Sequence, residues 1–179
     1  MSGSRDIVRV IFGSLDDEGV RHVPEVFALV GKKNSKTTSG AGLMVTALLM
    51  NEVPWAEFLF IGPTQETFVK VKTFDMKVMT GSKPIGVLID ELHVMGSIHY
   101  AARVVGQIRG ALESKKNSFL LIITTQSDEP PAGVFRAELQ YARGVRAGRI
   151  VESRMLPLLY EFPEAMQTDR SKPWADPTY

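Results

Sequence analysis

Four short apolar runs that do not alternate as half-buried strands do are the strongest constraint on this chain: residues 25–31 (EVFALVG), 57–62 (EFLFIG), 85–90 (IGVLID) and 118–125 (SFLLIITT). Runs of this kind suit strands covered on both faces. Segments of helical length alternate with them. Residues 36–50 are small and apolar; residues 98–112 carry apolar side chains at 101, 104, 105, 108 and 112; and residues 132–144 follow Pro130 and Pro131. Pro63 closes the second run, and Thr64 is placed to cap a helix from Gln65 toward Lys72. Such alternation predicts an α/β fold, a mainly parallel sheet flanked by helices joined through crossovers.

A length of 179 residues suits one domain with a sizeable core. We place that domain at 1–155. From residue 156 the sequence LPLLYEFPEAMQTDRSKPWADPTY becomes rich in Pro and loses its apolar period, so 156–179 reads as a linker. The chain has no cysteine, which excludes disulfides and thiolate metal sites, and its start, MSGSRDIVRV, is too polar for a signal peptide. No window is apolar for long enough to span a bilayer, and the expected location is the cytoplasm. A net charge of +1 neither requires nor excludes a nucleic-acid partner, so any basic footprint must be local.

In an open parallel sheet, ligands bind beyond the carboxyl ends of the strands, where GKKNSKTT, DELH and TTQSDEPPAG all fall. The first segment leaves a strand and opens a helix, so its N–H groups and the helix dipole can hold a phosphate anion. Lys36 then reaches the terminal phosphates and Thr37 a magnesium ion, as in a P-loop. The match to G-x-x-x-x-G-K-S/T is incomplete: Val30 stands at the first glycine, Gly31 one place late, and Ser35 before the lysine. A basic, solvated turn is the other reading of this segment.

Asp90 and Glu91 close a buried strand, where adjacent carboxylates are costly unless they meet a metal or a donor. In P-loop hydrolases the first such acid supports magnesium and the second orients the attacking water. A strand ending in exposed acids is the alternative. Thr124, Thr125, Gln126 and Ser127 can hydrogen-bond a γ-phosphate, a water or a neighbouring loop, or simply form a strand-to-turn exit. His93, one of three histidines and at no metal-binding spacing with another, suits a local hydrogen-bonding role. Arg136, Arg143, Arg146 and Arg149 could line one helical face, either solvated or turned to DNA or a neighbouring subunit's nucleotide.

Taken in order, RDIVRVIFG, VGKKNSKTT, VLIDELH, TTQSDEPPAGVF and LPLLYEFP resemble the ATPase half of the large terminase subunit of tailed bacteriophages, over nearly the whole chain. The resemblance implies a P-loop ATPase that uses ATP and Mg2+ to drive double-stranded DNA into a capsid. It also implies a homo-oligomeric ring working with the portal protein and the small terminase subunit, without a membrane, in the bacterial host's cytoplasm. Gly31, Lys33, Asn34, Ser35, Lys36, Thr37 and Thr38 would hold the nucleotide, with Thr37 and Asp90 on the metal. Glu91 and Lys32 would be catalytic, and Thr124, Thr125 and Gln126 would couple hydrolysis to DNA movement.

Lys32 stands where the family commonly has an arginine, keeping the charge without the bidentate fork. Ser35 stands where it commonly has glycine, placing a Cβ in a position that suits a glycine conformation. The N-terminus begins where the adenine-contacting glutamine region should end. The interval 60–91 is short enough for a strand and helix of the sheet to have been lost. The chain stops at the linker, so nuclease activity is not expected. These departures open a second reading, a catalytically weak or inactive remnant that binds nucleotide, DNA or a partner subunit. Another P-loop DNA translocase or helicase is a remoter third.

Overall fold

The apolar runs become the central strands of one sheet. The computed structural model describes residues 2–63, 71–73 and 83–161, and the elements follow in the order α1 (Ser2–Gly13), β1 (Glu25–Leu29), α2 (Lys36–Leu49), β2 (Glu57–Gly62), β3 (Val71–Thr73) and β4 (Pro84–Asp90). A 3-10 helix (Leu92–Ser97), α3 (Ala101–Glu113), β5 (Phe119–Thr124), α4 (Gly133–Arg146) and β6 (Met155–Leu159) complete the series. The strand order is β3-β2-β4-β5-β1-β6, and every pairing is parallel.

Alternate side chains of the inner strands enter two cores. Val26, Ala28, Leu88, Leu121 and Ile123 meet Ile7 and Ile11 of α1 and Leu43, Met44 and Ala47 of α2. Phe27, Leu29, Val87, Ile89, Leu120 and Ile122 face α3, α4 and the 3-10 helix, through residues such as Val104, Ile108, Phe135 and Leu139. Helices on both faces explain why these strands show no polar alternation. β4 and β5 are buried along their whole length. Among the described residues no helix is long and apolar enough to cross a membrane.

Two expectations change. Residues 156–159, read as the start of a linker, belong to β6, which runs parallel to β1 in the register Glu25↔Met155 to Leu29↔Leu159. Pro157 hid this strand, yet on the outer strand of a sheet a proline forfeits no ladder bond on its unpaired side. The domain therefore extends past 155. The helix read from Gln65 toward Lys72 falls mostly outside the described residues, but Val71 and Lys72 lie in β3, beside β2. The period-two pattern VKVKT, overlooked beside the capping signal at Thr64, is the strand signature.

Helix α1 was not anticipated. Its cue is Ile7 and Ile11, four residues apart, which pack one helical face onto the sheet and are 7% and 1% exposed. On the other face, Gly133 opens α4 with a φ of +48°, against Gly96 of the 3-10 helix. A Cβ on Gly133 would come within 2.1 Å of the Gly96 carbonyl oxygen, so only glycine allows these two elements to meet there.

Candidate functional site

Because all strands are parallel, their carboxyl ends share one edge, and the loops leaving β1, β4 and β5 gather there. The loop after β1 is tied to the sheet by the Val30 N–H, which donates to the Thr124 carbonyl at 2.9 Å. It then turns through two left-handed residues, Lys33 (φ 64°) and Ser35 (φ 51°), and Asn34 Nδ2 donates to the Gly31 carbonyl at 3.2 Å. Ser35 is the N-cap of α2, without a side-chain capping bond. The first turn of α2 holds no acidic residue of its own, and the positive end of its dipole faces the loop. Ser35 thus adopts the glycine-like backbone that its sequence position suggested.

Lys36 and Thr37, the first two side chains of α2, meet the acids that end β4. Thr37 Oγ1 donates to Asp90 Oδ2 at 2.6 Å. Lys36 Nζ pairs with Glu91 Oε1 and lies 4.0 Å from Asp90 Oδ1. Asp90 is 4% exposed, and burial raises its pKa against the opposing pull of the Thr37 hydrogen bond and Lys36. Both of its oxygens have donors: Thr37 on one, and on the other the Glu91 N–H at 2.9 Å. Glu91 is itself left-handed (φ 58°, ψ 43°) and caps the 3-10 helix.

The strand-end threonines of β5 complete the cluster from behind. Thr124 and Thr125 are both buried. Thr124 Oγ1 accepts the His93 N–H at 3.0 Å and lies 3.2 Å from His93 Nδ1. Thr125 Oγ1 donates to Glu91 Oε2 at 3.5 Å, and His93 Nδ1 is 3.1 Å from that same oxygen. Burial pulls the His93 pKa down, Glu91 pushes it up, and Lys36 and Lys32 add to the lowering. The local hydrogen-bonding role read for His93 is what the geometry displays.

The structure thus brings Lys36, Thr37, Asp90, Glu91, Thr124 and Thr125 together and frames them with Gly31, Asn34 and Ser35. Lys33, Thr38 and Gln126 are exposed at the rim. Lys32 points elsewhere, pairing with Asp128 in the loop after β5 at 3.0 Å, both side chains exposed. Asp128 had been passed over because no spacing rule links residues from two separate loops. The arginine series is divided: Arg143 and Arg146 both clasp Glu161, at 2.5 and 2.6 Å, while Arg136 and Arg149 are exposed.

Behind the loop lies a cavity of about 510 Å3, walled by Ile7, Val30, Leu43, Leu158 and Tyr160 and open to Lys36. Tyr160 and Ile7 had not been singled out, since one lay in the supposed linker and the other in an N-terminal segment read without a helix. The donor set of the site suits magnesium. A hydroxyl and a carboxylate are the hard oxygens that this ion takes when it also binds substrate phosphates.

No protein-family model and no curated protein matches the chain. Its fold is similar to that in the crystal structure of the HK97 bacteriophage large terminase, with a TM-score of 0.62 at 15% identity, covering 92% of this chain and 40% of that one. The chain therefore spans less than half the length of that protein, and its fold is terminase-like.

Proposed function

We propose, taking the terminase-like fold as premise, that this chain hydrolyses ATP with Mg2+ to drive double-stranded DNA into a capsid. On this reading it acts in a homo-oligomeric ring with the portal protein and the small terminase subunit, in the cytoplasm of a bacterial host. The observation that supports the reading most is the convergence of Lys36, Thr37, Asp90 and Glu91 where a helix N-terminus meets the carboxyl end of the sheet. Any one of these residues has a bland explanation. Their meeting at a buried carboxylate is what supports the functional reading.

The loop N–H groups and the positive end of α2 would hold the phosphates, and Lys36 would offset their charge. Thr37 and Asp90 would hold the magnesium ion. When bound, that ion supplies positive charge beside the transferring phosphoryl group. Glu91 orients the attacking water. Thr125 and His93 hold its Oε2, and Lys36 holds Oε1. A triphosphate carries more charge than one carboxylate and competes with Glu91 for Lys36, so substrate binding itself would free Oε1 to accept a hydrogen bond from water. Thr124 and Thr125 join this carboxylate to β5 and the loop beyond, the route by which a change at Glu91 would reach Gln126 and the DNA-facing machinery. Lys32 would serve the γ-phosphate after leaving Asp128.

The test is steady-state phosphate release with Mg-ATP by the wild type beside Lys36→Ala and Glu91→Gln. Loss of turnover in both variants is expected, and equal background rates in all three would sink the enzyme reading. Ser35 in a left-handed conformation and Lys32 on Asp128 favour the second reading, a chain that binds nucleotide without turning it over. That reading expects ATP to raise the melting temperature while phosphate release stays at background.

A further inference from the structure

We infer that the cavity at the amino ends of β1, β5 and β6 is a second binding site, for a small ligand bearing a phosphate group, with the Arg21 guanidinium as its anchor. The cavity, about 450 Å3, falls within the roughly 300–1,000 Å3 of small-molecule sites. Its wall includes Glu25, Leu120 and Met155, which are partners at the start of the β1 ladders. It therefore lies on the opposite edge of the sheet from Lys36 and Asp90, and owes nothing to the loop after β1.

Arg21 is held in place by its surroundings. Its main chain bridges to Leu15, its carbonyl accepts from Arg154 Nη2, and its Nε donates to the Asn117 carbonyl at 3.0 Å. Its guanidinium carbon lies 5.3 Å from the centre of the Phe119 ring. Nη1 is buried and has no acceptor among the described residues. Burial lowers the Arg21 pKa, yet a guanidinium stays protonated at neutral pH. A half-buried charge with an unmade hydrogen bond is costly, and an oxyanion at the end of the fork offsets both costs. Arg109, on the same wall, shows the contrast, because Glu25 and Glu138 accept from its guanidinium.

The neighbouring cations set the charge of the ligand. Lys115 donates to the Lys83 carbonyl at 2.8 Å and Arg154 to the His22 carbonyl at 3.3 Å, so both keep their full charge, and the exposed Lys116 adds to it. With Arg109 and Glu25 matched to each other, Arg21, Lys115, Lys116 and Arg154 face one carboxylate of the wall, Glu113. Such a field suits a phosphate, which carries close to two charges, better than a single carboxylate. A recessed fork also favours a free small molecule over a polymer that displays its phosphates on a convex surface.

The experiment is an NMR titration of the full chain with inorganic pyrophosphate, at fixed ionic strength and without magnesium, using the wild type, Arg21→Gln, Lys116→Ala and Lys36→Ala. A short DNA duplex serves as a separate arm. The Arg21 Nε–H and the Asn117 and Ser118 amides are expected to shift and to saturate in the millimolar range or below. Arg21→Gln should weaken that binding about tenfold and Lys116→Ala about threefold, while Lys36→Ala leaves these shifts unchanged. Preserved signals from the core amides show that each variant is folded, and should Arg21→Gln lose them, Lys116→Ala decides alone. The site is overturned if no saturable shift occurs outside residues 31–37, if folded Arg21→Gln binds as tightly as the wild type, or, where that variant does not fold, if Lys116→Ala does. A duplex that moves the same amides more strongly than pyrophosphate would overturn it too.

Discussion

Thr37 Oγ1 donates to Asp90 Oδ2 at 2.6 Å across 53 residues of sequence, so the first turn of α2 and the end of β4 are joined at a buried carboxylate. Burial raises the Asp90 pKa above its unfolded value. Between the two values the folded state binds more protons, and stability therefore falls as pH rises through that window. Asp90→Asn removes the charge and keeps the shape. It should match wild-type stability at pH 7 or exceed it by about 1 kcal/mol, while Mg-dependent phosphate release drops about a hundredfold. Urea melts beside the phosphate assay check both; a variant that unfolds more easily yet still hydrolyses ATP would contradict the metal-binding role.

His93 should give the reaction an acid limb. Its pKa is depressed by burial below the ordinary 6.5, so it is neutral at pH 7 and hydrogen-bonds Glu91 and Thr124. Protonation would turn the contact with Glu91 into an ion pair and draw the carboxylate away from water. Turnover is expected to decline as pH falls below 6.5, and His93→Gln should flatten that decline. The stability sign is the same: the contribution is complete above the unfolded pKa and is lost as pH falls toward the lower folded value. A pH-rate profile that His93→Gln leaves unchanged would remove the role.

Ser35→Gly is predicted to stabilise the chain. A non-glycine residue at φ 51° carries a left-handed penalty of about 1 kcal/mol that glycine avoids. Part of this is offset by the freer unfolded glycine, so a gain of about 0.5 kcal/mol is expected, together with tighter Mg-ATP binding. Chemical denaturation and titration measure the two; a loss of stability would mean that the serine side chain contributes more than its backbone strain costs.

Lys32 and Asp128 form an exposed pair, and such pairs contribute little to stability. Lys32→Ala and Asp128→Ala should both melt like the wild type, but only the lysine variant should lose turnover. Equal activity of the two variants would exclude Lys32 from the γ-phosphate.

Glu161, whose side chain is 7% exposed, receives Arg143 and Arg146 and closes the exit of β6 onto α4. Glu161→Ala would leave two guanidiniums facing each other and should cost about 2 to 3 kcal/mol, with Glu161→Gln costing less. Thermal melts of the pair test this, and an unchanged midpoint for the alanine variant would show that the clasp is idle.

The central strands were legible because a sheet covered on both faces must be apolar throughout, and residues 85–90 and 118–125 carry that mark with few interruptions. Lys36, Thr37, Asp90 and Glu91 were legible because chemistry ties them to short motifs beside those strands. β6 was not, since Pro157 suppresses a strand signal that an outer position tolerates. The Lys32–Asp128 contact and the Tyr160 wall were beyond reach for another reason. Each depends on which loops the strand order brings side by side, and the order β5-β1-β6 cannot be read from spacing.

That order also governs how the protein is made. β1 leaves the ribosome early, yet its two neighbours are β5, ending at Thr124, and β6, ending at Leu159. Until β5 has emerged, β1 has no strand to pair with and its apolar residues wait exposed, and until β6 follows its outer edge stays open. The candidate site therefore matures late in synthesis, and a translation stall before residue 155 would leave a chain with its motif intact and no strand beside β1's outer edge to shape it.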